Sequence, residues 1–228
     1  MKRYVFSRYG ALRDVVRLEE APRPALQRND VLVKISAAAL NPIDLHVMKG
    51  HLRKIQRLAL PAPLGFDFCG LVEAVGPGGR SFKIGDRVFG RAPRERMGAF
   101  AEYLAIDATL VAGAPALLTD VEAASLPLVA LTTLQALSLR AEASPGQSVL
   151  IHAGSGGLGS FAVQYAKRTL GLNVTTTTSA KNLEWVAALG ADVVIAYDRE
   201  SYLGRPARYD IVFDTLGGTA TADAFQVL

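Results

Sequence analysis

The chain has little of what a disulfide or a metal site needs. Its 228 residues include one cysteine, Cys69, and three histidines. A single cysteine excludes an intrachain disulfide and a multi-cysteine zinc cluster, and it is typical of a reducing compartment. Aromatic residues make up only 7% of the chain, but 50% of the residues are hydrophobic. There is therefore ample apolar surface for a core, and the composition argues against disorder.

Long apolar runs and a strong charge are also missing. The longest uncharged stretch, 123–139, contains Pro127 and is shorter than the roughly 20 apolar residues of a membrane span. The N-terminus reaches Arg8 before any apolar run develops, unlike a secretion signal. A formal net charge of +4 is too small to indicate nucleic-acid binding by itself. We therefore expect a cytoplasmic protein that binds neither membranes nor nucleic acids.

The first half of the chain has the pattern of short extended segments between turns. Apolar and polar residues alternate over 30–39, as in a half-buried strand. Further strands are predicted over 65–75, 86–89 and 100–106, with a turn at 76–79. This pattern predicts a compact all-β domain over residues 1–124.

The pattern changes near residue 119. Thr119 and Glu122 have the spacing of a capping box, and helical spacing follows over 121–139 with an interruption at Pro127. Strands and helices then alternate, which indicates a parallel sheet with right-handed crossovers over residues 125–228. The predicted strands are 149–153, 174–178, 193–197 and 211–214, and the predicted helices are 158–167, 182–189 and 219–228.

A glycine-rich turn joins the first of these strands to its helix. Gly154, Gly156 and Gly159 form a G-x-G-x-x-G pattern. In such a pattern the first glycine allows the tight turn, the second lets the backbone approach a pyrophosphate, and the third lets the helix pack closely. We expect a dinucleotide site here, with a purely structural glycine turn as the alternative. Its predicted residues are Gly154, Ser155, Gly156, Gly157, Leu158 and Gly159.

The end of the next strand bears on which dinucleotide binds. An NAD site has an acidic residue about 20 residues after the glycine turn, where it holds the ribose 2′-hydroxyl. This chain has Ser179 and Lys181 there, with no carboxylate before Glu184. An ammonium group pairs with a phosphate, so the pattern favours NADP(H). The alternative is that Lys181 is an exposed lysine at the start of a helix.

Several further motifs follow one another in a recognisable order. They are NPID at 41–44, PLGFD at 63–67, GDRVFG at 85–90, GAFAEY at 98–103, LP at 126–127 and YDIVFD at 209–214. In this order they resemble the quinone oxidoreductase (zeta-crystallin-like) branch of the medium-chain dehydrogenase/reductases. The resemblance implies an α/β protein with a GroES-like β domain followed by a Rossmann domain.

The resemblance also bears on zinc. Zinc-dependent members have a cysteine where Asn41 stands and a His-Glu pair where Phe66 and Asp67 stand. The thiolate and the imidazole are both absent, so three zinc ligands cannot assemble there. We therefore expect no metal, and we expect Cys69 to be a buried apolar residue.

Site residues carried over from the family lie in both halves. The resemblance implies that Asn41 and Thr132 line a nicotinamide pocket, and His46 stands where relatives commonly have a tyrosine. His46 could donate a proton, or it could be a surface histidine. Lys181 and Tyr197 resemble contacts to the 2′-phosphate, and Gly217 resembles part of the loop beside the ribose.

The resemblance implies an NADPH-dependent, zinc-independent reductase of quinones or α,β-unsaturated carbonyls that forms a homodimer. Two alternatives stay open: a cofactor-binding protein without turnover, and an inactive fragment of the reductase. A six-strand Rossmann domain needs more than the four strands predicted here, and each further βα unit takes roughly 25–30 residues. We therefore expect the Rossmann domain of this chain to be truncated at its C-terminus.

Overall fold

The computed structural model describes residues 1–54, 58–78, 81–204 and 208–228. It divides into two compact units, Met1–Leu128 and Val129–Leu228. The domain limits expected from the sequence, 1–124 and 125–228, stay a prediction. Gly79, in the predicted turn at 76–79, lies outside the described residues.

Antiparallel strands dominate the first unit. Two sheets form, with the strand orders β2-β1-β4 and β7-β3-β5-β6-β8. Short helices connect some of these strands. The elements are β1 Lys2–Phe6, α1 Leu12–Val15, β2 Val16–Glu20, β3 Asp30–Ala39, α2 Pro42–Met48, β4 Ala62–Pro63, β5 Asp67–Val75, β6 Arg87–Arg91, β7 Tyr103–Asp107, β8 Val111–Gly113 and α3 Asp120–Ala124.

Alternation along the strands explains where the core of this unit lies. Val31 and Val33 on β3 are buried together with Phe68 on β5 and Val88 on β6. Side chains on a strand point alternately to its two faces, so one face of the five-stranded sheet collects the apolar residues. The first unit is mainly β structure, as predicted, but it also contains short helices, and β3 has the bounds that its sequence pattern predicts.

A helical segment leads from the first unit into the second. Thr119 accepts a hydrogen bond from the backbone N–H of Glu122, so the predicted capping box starts α3. After a break, α4 spans Pro127–Leu134. A π-helical stretch, Gln135–Arg140, continues it, which the sequence pattern did not predict. Proline at the first position of α4 costs no hydrogen bond, because that N–H has no partner within a helix.

The second unit alternates strands and helices. Its described strands pair in parallel in the order β11-β10-β9-β12. The elements are β9 Ser148–Ile151, α5 Gly157–Arg168, β10 Asn173–Thr178, α6 Leu183–Ala188, β11 Val193–Ala196, β12 Ile211–Phe213 and α7 Thr219–Ala224. This is the strand order of a Rossmann fold, so the predicted fold class is confirmed.

The central strand of this sheet is apolar on both faces. Val149, Leu150 and Ile151 on β9 are all completely buried. A parallel strand flanked by neighbours and covered by helices has no polar face, which explains its continuous apolar run. The buried strand therefore fixes the position of its carboxyl end, where the glycine turn begins.

No helix in the described part of the chain is long and apolar enough to cross a membrane.

Candidate functional site

The glycine turn follows β9 and holds one residue in the left-handed conformation. That residue is Ala153, with φ of +54°. Gly154 is not in this region; instead, a Cβ atom on it would lie 2.3 Å from Thr176 Oγ1. This hydroxyl is fixed by donating a hydrogen bond to the carbonyl of Ile151 at 2.7 Å. Gly154 is therefore a central residue of the tight turn closed by the hydrogen bond from Gly156 N–H to Ala153 O, and it needs to be glycine because a buried threonine approaches it closely.

The other two glycines of the pattern differ in how much space they have. A Cβ on Gly159 would lie 2.1 Å from the carbonyl oxygen of Ala153, so α5 packs directly on the turn. A Cβ on Gly156 would meet only that oxygen, at 3.3 Å, and Gly156 is exposed. The internal packing therefore requires Gly159 but scarcely constrains Gly156, whose backbone stays open to an approaching ligand.

The start of α5 can bind an anion. Gly156 is the N-cap and has no side chain to satisfy the first N–H groups of this 12-residue helix. These groups and the helix dipole favour a negative charge at the N-terminus. Ser155 precedes the cap, and Gly157 and Leu158 form the first turn. The predicted pyrophosphate residues therefore lie together in one strand-turn-helix unit.

We expect the two glycines to respond differently to alanine. Gly159→Ala should lower the free energy of unfolding by about 1–3 kcal/mol, because the new methyl group overlaps the Ala153 carbonyl. Gly156→Ala should cost less, about 1 kcal/mol, because alanine is a poorer N-cap than glycine but its methyl group meets only one oxygen, at 3.3 Å. Urea unfolding of both variants measures this. An equal or larger loss for Gly156→Ala would contradict the packing described above.

The residues predicted to contact a 2′-phosphate lie at neighbouring strand ends. Ser179 and Lys181 follow β10, with Lys181 exposed in a 3₁₀ turn, Ala180–Asn182. Tyr197 follows β11, is 63% exposed, and donates its N–H to Thr178 O at 3.0 Å. Because β10 and β11 pair in parallel, the structure brings these residues to one edge of the sheet. This is the edge at which open α/β sheets bind ligands.

Sequence reasoning missed a carboxylate at the same edge. Asp198, directly after Tyr197, accepts the backbone N–H of Ala180 through Oδ1 at 2.9 Å. The sequence prediction considered an acidic residue only after β10, whereas Asp198 follows the end of β11. The parallel pairing of the two strands was the available signal, since it aligns their carboxyl ends.

Gly217 lies between β12 and α7 with φ of +73°. Its N–H and that of Leu216 both donate to Asp214 Oδ1, at 3.1 and 2.8 Å. This loop is therefore a defined turn beside the glycine turn, since β12 pairs with β9.

Thr132 is partly buried on α4, and the adjacent Thr133 is buried with no partner for its hydroxyl in the described chain.

In the first unit, Asn41 is the centre of a buried hydrogen-bond network. It immediately precedes α2 and is 9% exposed. Its backbone N–H donates to Asp44 Oδ2 at 2.7 Å, and its side-chain Nδ2 donates to Asp67 Oδ2 at 3.0 Å. The backbone N–H of Leu128, in the first turn of α4, donates to the same Asp67 oxygen at 3.0 Å.

Both carboxyl groups of this network are almost completely buried. Burial raises the pKa of Asp44 and the pKa of Asp67 to about 6 each, against the opposing effect of the N–H donors and Arg91. Each has a second oxygen, Oδ1, that is buried and has no partner among the described residues. Arg91 pairs opposite Asp67 in the sheet, and its guanidinium lies over the Phe66 ring at 4.8 Å.

The donor set at this place does not suit zinc. The Asn41 amide donates its N–H to Asp67, and the side chain of Phe66 has no ligating atom. Catalytic zinc needs three thiolate, imidazole or carboxylate ligands. No group of three or more such side chains that could hold a metal occurs in the described ranges. Cys69 is buried and donates to Asp120 Oδ1 at 3.5 Å, and burial raises the pKa of its thiol to about 11.

His46 differs from Asn41 in exposure, although both lie on or next to α2. Its ring faces solvent, and its Nδ1 lies 2.8 Å from Nδ1 of His51, which is also exposed. The two rings share a hydrogen bond in which one nitrogen donates and the other accepts. The structure therefore places His46 outside the buried network of Asn41, Asp44 and Asp67.

The buried carboxyl group of Asp67 should change how stability depends on pH. Its pKa is raised to about 6 in the folded chain. Between about pH 4 and pH 6 the folded chain therefore keeps a proton that the unfolded chain has lost, and stability falls as pH rises through this window. Asp67→Asn removes that contribution. The free energy of unfolding of Asp67→Asn minus that of the wild type should therefore be about 2–3 kcal/mol larger at pH 8 than at pH 4.

Chemical unfolding at both pH values measures this difference, and a constant offset from altered hydrogen bonds cancels. Asp210→Asn is the control, because hydrogen bonds from Ser148 lower the pKa of Asp210. For Asp210→Asn the difference should stay nearly constant between pH 4 and pH 8, because a lowered pKa contributes stability that is lost only below about pH 4. A pH-independent difference for Asp67→Asn would show that Asp67 is already charged at pH 4.

Comparisons with known proteins agree with this architecture. The family model for the alcohol dehydrogenase GroES-like domain matches residues 27–116, and the model named zinc-binding dehydrogenase matches residues 157–228. The structure of the quinone oxidoreductase from Coxiella burnetii superposes with a TM-score of 0.90 at 36% identity, covering 100% of this chain and 72% of that one. The Escherichia coli quinone oxidoreductase, complexed with NADPH, superposes with a TM-score of 0.89 at 28% identity, covering 100% and 70%.

A curated relative is similar over nearly the whole chain. The chloroplastic NADPH-dependent alkenal/one oxidoreductase of Arabidopsis thaliana is 37% identical over 225 residues, which are 95% of this chain and 58% of the relative. This chain thus spans less than two thirds of the relative's length. The antiparallel unit and the parallel sheet with its glycine turn define the two-domain architecture of the alcohol dehydrogenases. The chain belongs to the quinone oxidoreductase branch of the medium-chain dehydrogenase/reductases.

Proposed function

We propose that the protein is an NADPH-dependent oxidoreductase that reduces quinones or α,β-unsaturated carbonyls without zinc. The observation that carries the proposal is the glycine turn with the exposed Gly156 at the start of α5, beside strand ends that bear Ser179, Lys181 and Tyr197. Two similar proteins support it: one is named as NADPH-dependent and acting on alkenals and enones, and one is a quinone oxidoreductase complexed with NADPH.

Different residues of the second unit would bind the pyrophosphate, the 2′-phosphate and a ribose of the dinucleotide. Residues 154–159 would bind the pyrophosphate through backbone N–H groups and the dipole of α5. Ser179, Lys181 and Tyr197 would hold the 2′-phosphate, and the loop at Gly217 would lie beside a ribose. Lys181 supplies the cationic charge that an additional phosphate requires. When bound, NADPH supplies the hydride for the reduction.

The catalytic part of the proposal rests on hydrogen-bond donors. Asn41 and Thr132 would line the nicotinamide pocket and polarise the carbonyl of the acceptor, as preorganised donors do where negative charge develops. Solvent or His46 would donate to the acceptor the proton that completes the reduction. We further propose domains over 1–124 and 125–228, a homodimer, a cytoplasmic location and no metal.

We expect NADPH oxidation to depend on an acceptor with a conjugated carbonyl. The proposed reaction adds hydride to a carbon made electrophilic by conjugation, which a saturated ketone lacks, so enones and quinones should be reduced and the matching saturated ketones should not. The loss of nicotinamide absorbance with a panel of such acceptors measures this. His46→Ala should alter the pH profile of turnover if His46 donates the proton, and leave it unchanged if solvent does. NADPH binding without turnover of any acceptor would instead indicate a cofactor-binding protein.

We expect tighter binding of NADPH than of NADH, with two residues acting in opposite directions. Lys181→Ala should reduce the preference for NADPH by roughly tenfold, the effect of about 1.4 kcal/mol. Asp198→Asn should increase it, because the carboxylate that accepts the Ala180 N–H places a negative charge beside the 2′-phosphate. Titration calorimetry gives both dissociation constants for each variant.

The matched control is Asp210→Asn, which removes another exposed carboxylate that accepts a backbone N–H, but at the start of β9. It should leave the ratio of the two dissociation constants unchanged. Equal affinities for the two cofactors in the wild-type chain would refute the proposed cofactor. A ratio unaffected by Asp198→Asn would refute the role given to that carboxylate.

A further inference from the structure

One oxygen atom of Asp67 accepts hydrogen bonds from two distant residues of the first unit. Asp67 begins β5, and its Oδ2 accepts N–H groups from Asn41, the residue before α2, and from Leu128, in the first turn of α4. Both donors lie 3.0 Å from this oxygen. The carboxyl group therefore fixes the side-chain amide of Asn41 and the start of α4 together.

We propose that Asp67 is a positioning residue that holds the Asn41 amide firmly only while its carboxyl group is charged. The proposal relies on the proposed function in one respect, the place of Asn41 in the nicotinamide pocket. A hydrogen bond to a charged acceptor is roughly twice as strong as one between neutral groups. Two donors converge on Oδ2, so protonation of the carboxyl group weakens both contacts at once and loosens the Asn41 side chain.

The surroundings of Asp67 place this change near neutral pH. Burial disfavours the charge, and so does the carboxyl group of Asp44 on α2. Arg91, opposite on β6, favours the charge, and Arg91 itself interacts with Arg94 and Glu95. On β3 the residue paired with Asp67 is Ala39, and the charged residues of that strand, Asp30 and Lys34, lie further along it. The helix α4 contains no ionisable residue.

The two unpartnered oxygens support this balance. Asp67 Oδ1 and Asp44 Oδ1 are buried without a donor in the described part of the chain. A buried carboxylate with an unsatisfied oxygen is costly, and protonation removes the charge at the price of weaker acceptance by Oδ2. A negative charge on Asp44 also disfavours a charge on Asp67.

Nuclear magnetic resonance of the whole chain tests the proposal without cofactor. The Asn41 side-chain NH₂ and the Leu128 backbone N–H should shift with pH, with a common midpoint near 6. In Asp67→Asn both signals should lose this titration. In Asp44→Asn the midpoint should move to lower pH, because removing a neighbouring negative charge favours the charged form of Asp67. Asp210→Asn should leave both signals as in the wild type.

A midpoint near the ordinary aspartate value of about 3.9 would overturn the proposal. So would a titration that persists in Asp67→Asn, or an Asp44→Asn midpoint that does not fall. Asp44→Asn keeps the test decisive if Asp67→Asn does not fold.

Turnover provides the functional readout. The acidic limb of kcat/KM with NADPH and a reducible acceptor should move in Asp44→Asn in the same direction as the amide midpoint. A purely structural role for Asp67 would leave that limb in place, and this result would overturn the positioning role. If no acceptor is reduced, the proposed function fails, and the amide titration still decides whether Asp67 controls the Asn41 side chain.

Discussion

The arrangement of the first unit around the candidate site depends on the hydrogen bonds of one buried carboxyl group, Asp67. Its side chain is fully buried, so any charge on it must be met by donors supplied by the fold. Asn41 and Leu128 provide them, each at 3.0 Å. The geometry of β5, of the chain entering α2 and of the start of α4 is thereby coupled. A change at any of the three alters the partners of the same oxygen atom.

In the second unit, backbone contacts rather than a buried carboxyl group fix the geometry of the candidate site. The first N–H groups of α5 are not satisfied by a capping side chain, because the N-cap residue is Gly156. The turn is held in place by contacts with β10. Gly154 donates its N–H to Thr177 O at 2.8 Å, and Thr176 fills the space where a Cβ of Gly154 would lie. The left-handed Ala153 is tolerated because these contacts fix the backbone on both sides.

Local signals in the sequence predicted much of this fold, and contacts between distant residues explain what they missed. The alternation over 30–39 and the capping box at Thr119 depend on neighbouring residues only, and both appear as predicted. Motif spacing likewise located the glycine turn. The conformation of Ala153 depends on Thr176 and Thr177 from another strand, and the contact of Asp198 with Ala180 depends on strand pairing. Neither has a signature within a short window of sequence.

Asn41 and Asp67 show how the family resemblance and the physical description fit together. Zinc-dependent members of the family have metal ligands at Asn41 and at the residue before Asp67; here an amide donates a hydrogen bond to a buried carboxyl group. An amide whose N–H is directed at Asp67 leaves only a neutral carbonyl oxygen, which is not among the usual zinc ligands. The buried carboxyl group of Asp67 accepts a hydrogen bond from the residue before α2. The electrostatics around Asn41 therefore depend on the protonation of Asp67 and Asp44.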